Sequence, residues 1–198
     1  MRIGCTGHRP NRLVTPRSEI VRRLTDALAI IIDVFHAAAP NEPVVAISAL
    51  AEGADRLFAD TAARLGLDLH ALQPYSSADY VQTFASAKDT RDYHALLGRA
   101  VCVESLPGSL SDTSSAYAEL GRAMVECSDV LIAIWDGLPA AGRGGTTEVI
   151  EYAITQGGCV VWVHAASNCS TVLLDRVVPT PQRRPLSGEA LRYSIHAS

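Results

Sequence analysis

Asp129-Val130-Leu131-Ile132-Ala133-Ile134-Trp135-Asp136-Gly137 is the stretch whose reading decides the fold. Its apolar run from Val130 to Ile134 is continuous rather than alternating, as a strand requires when both faces of its sheet are covered. A Gly-rich turn over 142–145 leads into a helical pattern from about 147 to 156, which Gly157-Gly158 stops. Residues 159–164 form the last strand of the pattern.

The same alternation runs back toward the N-terminus. A helix over 115–127 precedes the deciding strand, and a short strand over 101–104 precedes that helix. Residues 77–99 are polar and mixed, with Tyr80, Phe84, Tyr93, Leu96 and Leu97 as large apolar anchors, and read as a broken helix. A strand over 68–73 is closed by Pro74, a helix over 55–65 is stopped by Gly66, and 44–48 is a buried strand. Ile20, Leu24, Leu28, Ile31, Ile32 and Phe35 recur at helical spacing behind Thr15 as N-cap and Pro16 at the first helical position. Residues 2–5 open the chain as a short strand. Strands alternating with helices predict an α/β fold, a Rossmann-like doubly wound sandwich with a mostly parallel sheet flanked by helices. This domain spans 1–165. In 166–198 the pattern fades, with Pro179, Pro181 and Pro185 among Arg183 and Arg184; this tail is expected to be irregular, or packed on the domain or a partner.

Composition narrows the function classes. With 48% hydrophobic and 19% charged residues the chain can build a core, which excludes wholesale disorder. A net charge of −4 lacks the basic footprint of a nucleic-acid binder, so no nucleic acid is expected as a partner. No apolar run reaches the roughly 18–20 residues that span a bilayer, so no membrane is expected either. Met1-Arg2-Ile3-Gly4-Cys5-Thr6-Gly7 has no signal-peptide character, which makes the cytoplasm the expected location. The five cysteines lack C-x-x-C spacing and form no zinc pattern with histidines, so neither a disulfide framework, a metal nor another cofactor is expected.

The unusual residues all fall just after strands, where open α/β sheets bind ligands. Thr6-Gly7-His8-Arg9 follows the first strand and Ser48-Ala49-Leu50-Ala51-Glu52-Gly53-Ala54-Asp55-Arg56 the second. Asp136-Gly137 and then Gly142-Arg143-Gly144-Gly145-Thr146-Thr147-Glu148 follow the fifth. Glycines at 144 and 145 would let backbone approach a ligand, and the helix behind them offers free N–H groups and a positive dipole end, so the turn reads as an anion site. No Lys follows the glycines, so this is not a Walker A loop, and the spacing does not match G-x-G-x-x-G. The ligand candidates are Thr6, Gly7, His8, Arg9, Ser48, Glu52, Gly53, Asp55, Arg56, Gly144, Gly145, Thr146 and Thr147. Each has a plainer alternative: His8 as a hydrogen-bonded structural residue, Asp55 as a helix cap, Arg56 paired with Glu52, the Gly-rich turn as a simple helix start. Trp135 reads as core, or as a ring able to stack on a base.

These three blocks, in this order, resemble the SLOG superfamily, Rossmann-like domains related to the LOG phosphoribohydrolases and to DprA. The resemblance covers about residues 2 to 165 and implies a nucleotide or ribose-phosphate-containing ligand, bound by a sensor module or cleaved by an N-glycosidase. The LOG loop Pro-Gly-Gly-x-Gly-Thr-x-x-Glu matches here at Gly145-Thr146, but Val149 stands where its Glu belongs. Glu148 comes one position early, a rotation of about 100 degrees on a helix. The LOG arginine four residues before a Met would fall on Leu120, counted from Met124, and Arg122 is displaced from it. Nucleoside deoxyribosyltransferases are similar at Asp136-Gly137, Gly145-Thr146 and Tyr152-Ala153, and their nucleophilic Glu again meets Val149. A binding or sensing domain is therefore the first expectation. The alternative is an N-glycosidase acting on a nucleoside monophosphate, with Glu148 and Asp136 as its catalytic residues. The relatives also imply a homodimer and, for a sensor, an effector protein. Ala116, Leu120, Ala123 and Met124 offer a helix face that could serve the dimer or pack on the sheet.

Overall fold

The computed structural model describes residues 1–139, 144–165, 169–175 and 182–196. In chain order it contains β1 (Arg2–Gly7), α1 (Arg17–Ala38), β2 (Val45–Ser48), α2 (Ala54–Arg64), β3 (Asp68–Gln73), α3 (Ser77–Tyr80), α4 (Ala87–Leu97) and β4 (Ala100–Ser105). There follow α5 (Thr113–Glu126), β5 (Val130–Trp135), α6 (Thr146–Thr155), β6 (Cys159–His164), β7 (Val172–Asp175), β8 (Gln182–Pro185) and α7 (Gly188–His196). The strands form one sheet in the order β4-β3-β2-β1-β5-β6-β7-β8. The six from β4 to β6 are parallel, and β7 and β8 extend the sheet antiparallel. This is a Rossmann-like, doubly wound α/β fold.

The unbroken apolar run of β5 has the cause its sequence implies. Val130, Ile132 and Ile134 enter one core with Ile3, Cys5 and the apolar stripe Ile20, Leu24, Leu28 and Ile31 of α1. Leu131 and Ala133 enter a second core with Leu120 and Met124 of α5 and Val149, Ile150 and Ala153 of α6. Central strands with helices on both sides leave no face for polar residues. The α5 residues Ala116, Leu120 and Met124 are buried inside the fold, so they serve the sheet rather than an outer face.

One local expectation changes and two are sharpened. Thr15 does not cap α1: Pro16 holds the cap position, and the buried Thr15 hydroxyl donates to the Ala165 carbonyl at 2.7 Å, tying the helix start to the end of β6. Residues 77–99 divide into α3, a single 3-10 turn and α4, because Ser76 and Ser86 each cap a new start by accepting from Asp79 and Asp89 amides. The described part of the tail is not irregular. β7 pairs with β6 and β8 with β7, the Arg183 guanidinium lies 4.5 Å from the centre of the Trp162 ring, and α7 buries Leu191 beside α1. β7 puts Leu173 in one core and Leu174 in the other, while β8 carries Arg183-Arg184-Pro185 and is built by pairing. Among the described residues no helix is long and apolar enough to cross a membrane.

Candidate functional site

Strand order reverses between β1 and β5, since β2 to β4 continue on one side of β1 and β5 to β8 on the other. Crossovers leaving those two strands diverge to opposite faces and open a crevice at their carboxyl ends. A cavity of about 360 Å³ lies there. Its walls come from the ends of β1 and β2 and from α5 and α6.

The β1 loop is bolted to the β2 loop. The Ala54 amide donates to the His8 carbonyl at 3.0 Å. Gly53, at φ +97°, lies so close that a Cβ there would stand 2.5 Å from that same carbonyl oxygen; only glycine fits both constraints. Ser48 is fully buried and closes the loop from below, donating to the Asp55 carbonyl and accepting from the Leu50 amide. Leu50 itself sits at φ +57°, an unusual conformation for a non-glycine, and its carbonyl accepts from Arg56 Nε at 3.0 Å.

Charges on this side are matched within the protein. Arg9 donates to Glu52 at 3.1 Å and to the Tyr117 hydroxyl at 3.0 Å, while Glu52 also accepts from the Ala85 amide. Arg56 does not pair with Glu52; it reaches Asp89 at 3.6 Å and lies over the Phe84 ring. Asp55 does not cap α2, since no side chain caps that helix. Its carboxyl lines the cavity at only 8% exposure. Burial pushes its pKa up to about 7, against the pull of Arg9, the Ala51 amide and Arg56.

Across the cavity, Asp136 is fully engaged. Arg12 donates to both its oxygens at 2.9 Å, and the Leu138 amide donates at 3.0 Å. His8 Nε2 lies 2.8 Å from an Asp136 oxygen. Burial holds the His8 pKa below its ordinary value, against the raising pull of Asp136. Its other nitrogen, Nδ1, lies 3.4 Å from the Thr146 hydroxyl. The Asp136 carboxyl stays below the usual carboxylate range: burial raises it, but the Leu138 amide, His8 and Arg12 outweigh that.

At the start of α6, Gly144 is at φ +75° and donates its amide to the Glu148 carboxylate. The Thr147 hydroxyl donates to the Leu138 carbonyl. The amides of Gly145, Thr146 and Thr147 have no acceptor among the described residues, as expected of a first helical turn. Val149 lines the cavity, while Glu148 is exposed and faces a neighbouring depression with Arg122 and Tyr152.

Of the residues singled out from sequence, Thr6, Gly7, His8, Arg9, Asp55, Gly144, Gly145, Thr146 and Thr147 line the cavity. Ser48, Glu52, Gly53, Arg56 and Asp136 stand behind them as supports, and Glu148 lies outside. Gly142 and Arg143 of the predicted turn lie outside the described residues. Trp135 points away, its ring against Trp162 and its Nε1 donating to Leu138. Sequence reasoning missed Arg12, Thr113, Ser114 and Tyr117 as wall residues. Arg12 carried a signal, three positions after Arg9 in the same loop; the α5 residues carried none, because only the fold brings that helix start to the strand ends.

A cavity at the reversal point of a doubly wound sheet, rimmed by the start of α6 and the loops after β1 and β2, defines a Rossmann-like domain with its crevice at the strand ends. Two solved structures with this fold are DNA processing proteins A. The X-ray structure of DprA from Streptococcus pneumoniae matches with a TM-score of 0.53 at 15% identity, over 81% of this chain and 49% of that one. This chain thus spans about half the length of that protein. DNA processing protein A from Helicobacter pylori, described for its unique single-stranded DNA binding mode, matches with a TM-score of 0.52 at 14% identity, over 98% of this chain and 73% of that one. At such identities the likeness is one of fold. No protein-family model and no curated protein sequence matches the chain. The second neighbour corrects the expectation that nucleic acid is excluded: a domain of this fold occurs in a protein described for single-stranded DNA binding.

Proposed function

We propose that the domain binds a nucleotide unit in the switch-point cavity, with its phosphate on the amides of Gly145, Thr146 and Thr147. The observation that carries this reading is the first turn of α6, whose leading amides meet no acceptor among the described residues, on the rim of a 360 Å³ cavity lined by the apolar Cys5, Ala49, Leu120, Met124 and Val149. Ligand cavities of roughly 300–1,000 Å³ bury most of a small ligand. Helix N-termini favour phosphate through free N–H groups and the dipole. Arg9 and Arg12 flank the cavity and add positive potential. Binding without turnover fits better than glycosidic cleavage: the α6 side chain in the cavity is Val149, Glu148 is turned away, and Asp136 is saturated by protein donors.

Titration of the chain with a panel of nucleoside monophosphates, and with short single-stranded oligonucleotides, tests this reading by thermal unfolding. Ligand at a hundredfold excess over Kd should stabilise the fold by about 2.7 kcal/mol. A shift with mononucleotides assigns the site to free nucleotides; a shift with oligonucleotides alone assigns it to a nucleotide within a strand. No shift with either rejects the proposal, and release of free base rejects its non-catalytic part.

A further inference from the structure

We propose that Asp55 recognises the cis-diol of a ribose, so that the cavity prefers a ribonucleotide to its 2′-deoxy counterpart; this rests on the nucleotide reading above. Asp55 is a buried carboxyl in the cavity wall, 92% removed from solvent by its 8% exposure. A carboxylate offers about four acceptor positions. The hydrogen bond it receives from the protein comes from the Ala51 amide. Among the described residues it makes no ion pair, because the nearby guanidinium groups are committed elsewhere, Arg9 to Glu52 and Arg56 to Asp89. Burying a carboxylate with acceptor positions open is unfavourable. A ligand that brings paired O–H donors removes that penalty.

The chemistry of the surroundings selects the donor. No cluster of three or more metal-ligating side chains occurs among the described residues. The apolar wall formed by Leu120, Met124 and Val149 belongs to α5 and α6, on the opposite face of the sheet from α2. A base seated against that wall turns its sugar, rather than its hydrogen-bonding edge, toward Asp55.

Calorimetric titrations of the full chain at pH 8 with AMP, 2′-deoxy-AMP, GMP and 2′-deoxy-GMP test the proposal, repeated with Asp55→Asn. Wild type should prefer each ribonucleotide over its deoxy analogue by about tenfold to a hundredfold, the range for a hydrogen bond to a charged group. Asp55→Asn should bring the two sugars to near equality. Equal affinity for both sugars in wild type, a preference that survives in Asp55→Asn, or discrimination that follows the base would each overturn it. The wild-type comparison stands even if the variant fails to fold. If none of the four nucleotides binds, the nucleotide reading itself is wrong and this inference falls with it.

Discussion

The two walls of the cavity leave opposite things unpaired. On the β1–β2 wall the cations are matched, Arg9 by Glu52 and Tyr117, and a carboxyl, Asp55, is left short of partners. On the β5–α6 wall the carboxylate is matched, Asp136 by Arg12 and the Leu138 amide, while the amides of Gly145, Thr146 and Thr147 meet no acceptor among the described residues. Both walls contain acids, bases and glycines, so residue type alone does not separate them. What separates them is which groups the protein has already satisfied. One wall asks for donors and the other for acceptors, and a nucleotide brings both.

The contrast breaks first at the joint that holds the β1–β2 wall together. Gly53→Ala forces a side chain into a left-handed backbone conformation and against the His8 carbonyl. The expected loss is about 2–4 kcal/mol, read as a lowered midpoint in urea unfolding. A change under 1 kcal/mol would mean that the two loops are not rigidly joined.

Asp55 supplies the next test, and its sign is opposite. Its pKa is raised to about 7 in the folded state from an unfolded value near 3.8, so the folded chain binds the extra proton between those limits. The Asp55 contribution to stability should therefore be largest on the acidic side and fall as pH rises from about 4 to 7, opposite in sign to that of His8 and His164, whose pKa values burial lowers. Arg9, Arg56 and the Cys5 thiol share its surroundings, and none of them titrates in that window. Asp55→Asn removes the effect: it should stabilise the protein by on the order of 2–4 kcal/mol at pH 8 and hardly at all at pH 4. Parallel unfolding curves of variant and wild type across that range would show that Asp55 is better solvated or better paired than its burial indicates. The β5–α6 wall should respond less. Arg12→Ala strips Asp136 of its two-pronged partner and should cost about 1.5–3 kcal/mol, with Arg12→Lys restoring only part because a point charge cannot span both oxygens. Full rescue by Lys would reduce the pair to simple charge attraction.

The fold was legible where burial writes a pattern. Val130 to Ile134 is apolar throughout because two cores compete for it, and α1 shows its stripe because one face meets the sheet. β8, with Arg183-Arg184-Pro185, leaves no such trace. Within the site, the loops announced themselves through glycines and clustered polar residues, but pairing did not. Arg9 and Glu52 are 43 positions apart, and Arg12 and Asp136 are 124 apart. No local spacing foretells that Glu52 prefers Arg9 to Arg56, or that Asp136 is saturated while Asp55 is not. The orientation of α6 was legible for a simple reason: at about 100 degrees per residue, Glu148 and Val149 cannot share a direction.

That orientation yields the smallest expected effect, and a useful one for its smallness. Glu148 is exposed and accepts the Gly144 amide in the first turn of α6, where a negative charge interacts well with the helix dipole. Glu148→Gln keeps the shape and removes the charge, so unfolding should report a loss of about 0.3–1 kcal/mol. Nucleotide affinity should stay within about twofold of wild type, since an exposed group outside the cavity acts on a bound phosphate only through screened charge. A tenfold loss of binding would place the carboxylate inside the site after all, and would turn the β5–α6 wall from a donor surface into one with a reactive acid.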